Sequence, residues 1–270
     1  MRLRKQYLTE NDCYRAGRTI RPQGIMVHST GANNPSVARY VPGDEEIGRN
    51  TYGNHWDQTN TEYKAKLDKK LNKCAHAFVG LFADGSVGTV QTLPWNRRGW
   101  HCGRGKNGSA NDTHISFEIC EDGLTDASYF KAAYQEAVEL TAYLCKEYNL
   151  DPLADGVVIC HQEGCRRGIA SNHGDVLHWF PKFGKTMDDF RADVARWMEG
   201  EDEMTQDQFD TMMENWLARR NNQPASDWAK PYIQEAIDAG VMTDVGGTIE
   251  RPQGLVTRQE LATVAAAIKR

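Results

Sequence analysis

The sequence predicts an α/β protein, with a central mixed β-sheet flanked by helices and a small, all-helical C-terminal domain after it. Three observations carry this expectation. Short apolar runs that suit buried strands, such as Ile25-Met26-Val27 and Val157-Val158-Ile159-Cys160, alternate along residues 1–198 with stretches of helical periodicity. An acidic, glycine-containing break follows from Glu199 to Glu203, read as a linker over 199–204. From 205 to 270 the apolar residues recur at helical spacing and strand signals fade.

Taken in order, Ile25 to Val27 forms the first buried strand and ends on His28. Ala77 to Phe82 and Ser86 to Thr92 are β-rich runs around Ala83-Asp84-Gly85, a hairpin signal. Ile115, Phe117 and Ile119 alternate with Ser116, Glu118 and Cys120, so one face packs inward and Glu118 lies on the other. Ala133, Ala137, Leu140, Thr141 and Leu144 give residues 127–148 a helical stripe that Asn149 and Asp151-Pro152 stop. Val157 to Cys160 is another buried strand, followed at once by His161. Met187 to Met198 reads as a helix with Phe190, Val194 and Trp197 on one side.

In the tail, Phe209, Met212, Met213, Trp216 and Leu217 form one stripe behind a capping box of Thr205 and Gln208. Trp228, Tyr232, Ile233, Ala236 and Ile237 form a second, closed by Gly240. Thr257 and Glu260 repeat the first capping pattern 52 residues on, which suggests a partial internal repeat.

Composition narrows the function. A chain of 270 residues accommodates one sizeable domain plus a small one, and a net charge of -5 offers no broad basic surface for nucleic acid. No stretch approaches the roughly 18 apolar residues of a membrane span. The first 13 residues lack the apolar core, at least about seven residues long, of a secretion signal. The seven scattered cysteines suit synthesis in a reducing cytoplasm.

All eight histidines lie between positions 28 and 178, so imidazole chemistry belongs to the first domain. His28 and His161 each end a buried run, and a downstream carboxylate would complete a three-ligand set with one position left open on a zinc ion. A strand-end histidine is also a common surface group. His173, Asp175 and His178 crowd into six positions, and residue type alone leaves the third ligand open among them. Glu118 is the candidate general base, with a raised pKa if its face lines a pocket, against the plainer reading of an exposed strand carboxylate. His101, in Gly99-Trp100-His101-Cys102-Gly103, suits a groove for sugar or peptide. Cys160 and Cys165 flank His161 without a patterned base and read as inert thiols rather than nucleophiles.

These motifs stand in the order found in a known family. Val27-His28-Ser29-Thr30-Gly31, Ala75-His76-Ala77-Phe78, Gly99-Trp100-His101, Ile115-Ser116-Phe117-Glu118 and Cys160-His161-Gln162-Glu163-Gly164 resemble the zinc N-acetylmuramoyl-L-alanine amidases of the type-2 amidase and peptidoglycan-recognition class. The stretch from Gly168 to Phe180 looks most like that of phage and prophage endolysins of Gram-positive hosts, and the resemblance covers residues 6 to 198. It implies zinc held by His28, His161 and Asp175, with Glu118 as general base for hydrolysis of the bond between N-acetylmuramic acid and L-alanine. It implies that His173, where relatives often carry lysine, polarises the scissile carbonyl. Substrate-binding roles fall to His76, Trp100, His101 and His178. Two departures stand out: Ala75 where many relatives have a catalytic tyrosine, and Val176 where the family usually has proline.

Trp228-Ala229, Ala239-Gly240 and Val256-Thr257-Arg258-Gln259-Glu260-Leu261-Ala262 resemble a surface-layer-homology repeat, with Thr205 to Trp216 like the closing helix of a preceding copy. The resemblance implies binding of cell-wall polysaccharide through residues such as Trp228 and Arg258. Because such modules act in sets of three, it also implies assembly into homo-oligomers. The protein is then expected to be made in a host cytoplasm and to reach the wall after release, with no nucleic-acid or membrane partner.

Overall fold

The computed structural model describes residues 1–69, 71, 73–200, 206–221 and 223–242. They fall into two compact units, 1–202 and 203–270.

The first unit is built on a six-stranded mixed sheet. Its strands are β1 (Leu3–Lys5), β2 (Gly24–Ser29), β3 (Ala77–Leu81), β4 (Val87–Gln91), β5 (His114–Ile119) and β6 (Val158–Cys160). They lie in the order β1-β4-β3-β5-β2-β6. Only β3 and β4 pair antiparallel, across the expected hairpin; every other pairing is parallel. A parallel strand covered on both faces should be apolar throughout, and all six residues of β2 are buried. Strand β1 was not foreseen, because three residues are too few to show a period.

One face of the sheet packs on α3 (Ala127–Tyr148) and α5 (Met187–Glu199). Asp126 caps α3 by accepting the N–H groups of Ser128 and Tyr129, and Asn149 ends it in the left-handed conformation. The α3 stripe of Ala133, Ala137, Leu140 and Leu144 is buried against Ile25, Val27, Ile115, Phe117 and Ile119. Burial of each large aliphatic side chain there contributes roughly 1.5–3 kcal/mol. Thr186 and Asp189 form a capping box for α5, and Gly200, at φ 78, closes it one residue past the expected end.

Residues of alternate parity face the other way and meet no long helix. Phe78 and Val90 pack with Val37, Tyr40, Ile47, Trp56 and Tyr63 from the segment between β2 and β3. That segment carries α2 (Asn60–Leu67) and a single 3-10 turn, Val37–Arg39. It can lie close on the sheet because position 80 is glycine. A Cβ there would stand 2.4 Å from the Pro35 carbonyl, which accepts the Leu81 N–H at 2.8 Å. The short α1 (Asp12–Ala16) precedes β2, and α4 (His161–Arg166) follows β6 directly.

The second unit, as described, is helical: α6 (Gln206–Asn221) and α7 (Lys230–Asp238), with Gly240 left-handed beyond α7 as expected. Thr205, and Thr257 with Glu260, on which the partial repeat rests, lie outside the described residues. Among the described residues no helix is long and apolar enough to cross a membrane.

Candidate metal centre and cleft

The centre sits at the carboxyl ends of three adjacent parallel strands, the edge where open α/β sheets present ligands. His28 is the fifth residue of β2, and its register partner on β5 is Glu118. On the other side Val27 pairs with Cys160, so His161 emerges beside His28. Strand alternation puts Ile25, Val27, Phe117 and Cys160 into the core under α3 and leaves His28 and Glu118 on the opposite face. Glu163, in the first turn of α4, holds this corner. It accepts the Cys160 N–H at 2.9 Å and pairs with Arg191 of α5, which also donates to the Val158 carbonyl.

Asp175 arrives from a loop. Val176, Trp179 and Phe180 behind it are fully buried, and Trp179 stacks on Tyr129 of α3 with centroids 6.4 Å apart. Val176 has φ 60, a conformation that strains a β-branched residue by about 1–3 kcal/mol, and its N–H reaches the Ser29 hydroxyl at 3.3 Å. A proline, locked near φ -65°, could not occupy that position. Valine, with its N–H on Ser29, thus occupies a turn closed to proline, and the loop delivers the carboxylate.

Three atoms converge. His28 Nδ1 lies 2.9 Å from Asp175 Oδ2, His161 Nδ1 lies 3.1 Å from the same oxygen, and the two nitrogens are 3.2 Å apart. Ligands about 2.0 Å from a tetrahedral zinc stand roughly 3.3 Å from one another, so the set fits that ion. Of the three residues that shared the third position, only Asp175 joins the group among the described residues. The outer ring nitrogens are held as well. Ser171 donates its hydroxyl hydrogen to the Cys102 carbonyl and offers lone pairs to His161 Nε2 at 3.2 Å. With a metal on Nδ1, the proton would stand on Nε2 and be donated to Ser171. His28 Nε2 lies 3.0 Å from His101 Nδ1.

Electrostatics follow from burial and these pairs. Burial opposes ionisation of Asp175, but hydrogen bonds from His161 and His28 overcome it and hold the carboxyl below the usual range. Burial pushes the His28 imidazole down, and pushes that of His101 down further with help from the neighbouring histidines. Glu118 is pushed up to about 8, by burial first and then by the Asp175 charge. Its Oε2 is enclosed and has no hydrogen-bond partner among the described residues, as a base awaiting its proton donor would be.

Glu118, His161, Asp175, His101 and Ser171 line a cleft of about 570 Å³. His173 is exposed at its rim, its ring centroid 4.6 Å from that of His161 and its Nδ1 3.2 Å from the Ser171 hydroxyl. Trp100 and His101 also line it. Two expected substrate-binding residues do not. His76 is wholly buried, with Nε2 on the Arg97 carbonyl at 2.7 Å and Nδ1 accepting the Ser116 N–H; burial pushes its pKa down to about 4. It is a neutral clamp between β3, β5 and the 95–99 segment. His178 points instead to Glu121, at 2.9 Å, which also accepts the Gly31 N–H. Cys160 is buried and its thiol pushed up to about 11, as suits an inert group.

Sequence reasoning gave no role to Ser171, although it lies in the Gly168 to Phe180 stretch, and missed the wall formed by Arg39, Tyr40, Trp56, Tyr63 and Lys73. These come from an irregular segment where side-chain direction follows no period. In the second unit Trp228 precedes α7 and is 76% exposed, while Arg258 lies outside the described residues.

Fold and site together define a class: a mixed α/β domain that presents a His-His-Asp cluster able to hold a cation, with an adjoining carboxylate, to an open cleft. The model of the N-acetylmuramoyl-L-alanine amidase family matches residues 18–176, more than half of the chain, and the chain belongs to that family. The S-layer homology domain model matches residues 223–262. Among curated proteins, N-acetylmuramoyl-L-alanine amidase CwlA of a Bacillus species is 39% identical over 74 residues, 27% of this chain and 28% of that protein. CwlH of Bacillus subtilis (strain 168) is 42% identical over 60 residues, 22% of this chain and 23% of its own. The chain thus spans about a quarter of the length of the curated relatives it matches. Among solved structures, the Staphylococcus aureus hydrolase AmiA in complex with its ligand superposes with a TM-score of 0.51 at 18% identity, over 73% of this chain and 83% of that one. That likeness concerns the fold.

Proposed function

We propose that this protein is a zinc-dependent peptidoglycan hydrolase that cuts the amide bond between N-acetylmuramic acid and L-alanine, and that it serves as an endolysin in phage or prophage lysis. The observation that carries the reading is the convergence of His28, His161 and Asp175 within 3.2 Å of one another, beside Glu118, in a chain of the amidase family. A zinc ion held by those three residues would supply Lewis acidity, activating water and polarising the scissile carbonyl.

The chain's own residues do the rest. Glu118 takes a proton from the attacking water and returns it to the departing L-alanine nitrogen, so that water and amide become carboxylic acid and amine. Burial raises the proton affinity of Glu118, and a bound cation beside it would favour the ionised form that begins the exchange. His173, at the cleft rim, donates an N–H to the carbonyl oxygen as charge develops there, the part lysine plays in many relatives. Trp100 supplies an apolar surface for the glycan or stem.

In the same reading, the C-terminal unit anchors the enzyme to cell-wall polysaccharide, with Trp228 exposed to ligand and self-association supplying further copies of the module. The protein is made in the host cytoplasm and acts on the wall after release.

Zymography on purified walls, with and without a chelator and with zinc restored, tests the reading. Clearing that is lost with the chelator and regained with zinc, together with new L-alanine amino termini in the digest, is the expected result. Binding to walls without clearing would favour a non-catalytic peptidoglycan-binding protein instead.

A further inference from the structure

Two cations face the cleft without an acidic partner. Arg39, in the 3-10 turn of the β2–β3 segment, and Lys73, near its end, both line the cleft that holds Glu118 and Asp175. Neither has a carboxylate oxygen within 4.0 Å among the described residues, whereas Arg2, Arg4, Arg49, Arg167 and Arg191 each have one. Each cation rests on an aromatic face. Lys73 Nζ lies 5.0 Å from the Trp56 ring centroid and the Arg39 guanidinium 5.7 Å from that of Tyr40. Cation–π seating of this kind fixes the stems and leaves the N–H donors free for a ligand.

The acids across the cleft do not neutralise them. Asp175 is committed to the two histidines, and no oxygen of Glu118 lies within 4.0 Å of either cation. Both cations line the same cleft as Glu118, His161 and Asp175, so a ligand that fills it meets donors for an anion as well as the centre. Two cations on a wall with aromatic faces match a carboxylate on a peptide.

We propose that Arg39 and Lys73 form a carboxylate-recognition element that selects stem peptides bearing a free carboxylate next to the scissile L-alanine. The proposal rests on the amidase reading. In peptidoglycan the residue after L-alanine is D-glutamate, whose α-carboxyl is free in some walls and amidated in others. A free carboxylate accepts charge-assisted hydrogen bonds from both side chains; an amide accepts weaker ones and adds donors that face donors.

The test compares N-acetylmuramoyl-L-alanyl-D-glutamate with its D-isoglutamine counterpart, which differ only in that group. With the full-length, zinc-loaded protein, kcat/KM for the acid should exceed that for the amide by about tenfold, mostly through KM, as one or two partly exposed charge-assisted bonds allow. Arg39→Gln and Lys73→Gln should each shrink the ratio and together bring it near one, while Arg39→Lys with Lys73→Arg should restore most of it. Equal rates on both substrates in the wild type, or a tenfold ratio surviving in the double glutamine variant, would overturn the proposal. Calorimetric titration of both ligands into the zinc-loaded Glu118→Gln chain reads the same preference without turnover. If the wild type cuts neither compound, the amidase reading fails, and the titration still decides whether Arg39 and Lys73 select the carboxylate.

Discussion

His28 and Glu118 are register partners on adjacent parallel strands, so a candidate metal ligand and a candidate base are fixed side by side by backbone hydrogen bonds alone. Their spacing does not depend on any loop. The two roles can therefore be separated by mutation.

Glu118→Gln is expected to keep one zinc per chain and to lose about 10²–10⁴-fold in turnover of cell walls, the range a general base contributes. Metal content by atomic emission and the rate of wall clearing check it together. Near-normal clearing would remove Glu118 from the mechanism.

The same substitution has a signature without catalysis. In chelator-treated protein the Glu118 carboxyl sits at about 8 against an ordinary value of 4.5, so between those pH values the folded state holds a proton that the unfolded state has lost. Folded stability then falls as pH rises through that window, and glutamine abolishes this loss. The Tm advantage of Glu118→Gln should be close to zero at pH 4.5 and reach several degrees at pH 8.5. A gap that does not change with pH would contradict the assignment.

His101→Phe should weaken zinc binding by about 10–100-fold, the usual effect of losing an outer partner of a ligating histidine. His101 Nδ1 stands 3.0 Å from His28 Nε2, and phenylalanine keeps the volume while removing the bond. Competition with a chromophoric chelator measures it, and an unchanged affinity would leave His101 with only its place in the cleft wall.

Val176→Pro installs the residue common among relatives and should nevertheless destabilise the protein by about 3 kcal/mol or more, lowering Tm by on the order of 10 °C. The left-handed φ of 60 and the N–H on Ser29 are both incompatible with proline. Thermal melts with and without zinc report it; a Tm equal to wild type would mean that the loop readily adopts the relatives' turn.

The regular parts of this molecule were legible because they obey a period. The Ala127–Tyr148 helix, the β3–β4 hairpin and the outward face of Glu118 follow from spacing of 3.6 or 2 and match the structure. His28 and His161 were legible as strand-end imidazoles, although Asp175 was separated from His173 and His178 only by resemblance to the family. His76 was misplaced for a physical reason. Its motif marks a position where a strand enters the sheet, and nothing local in sequence says whether an imidazole there meets solvent or the Arg97 carbonyl. Arg39 and Lys73 were invisible because they sit on a segment without regular hydrogen bonding, where only tertiary packing on Trp56 and Tyr40 decides their direction.

That segment is fastened at both ends by main-chain pairing. Near its start Pro35 pairs with Leu81 over Gly80; near its close Cys74 and Trp100 exchange bonds of 3.0 and 3.1 Å. Between these fastenings it carries the aromatic and cationic wall yet none of the three converging donor residues. The cleft wall and the converging donors thus come from different stretches of chain, so the lining can vary in sequence while the strand ends that carry His28 and Glu118 stay as they are.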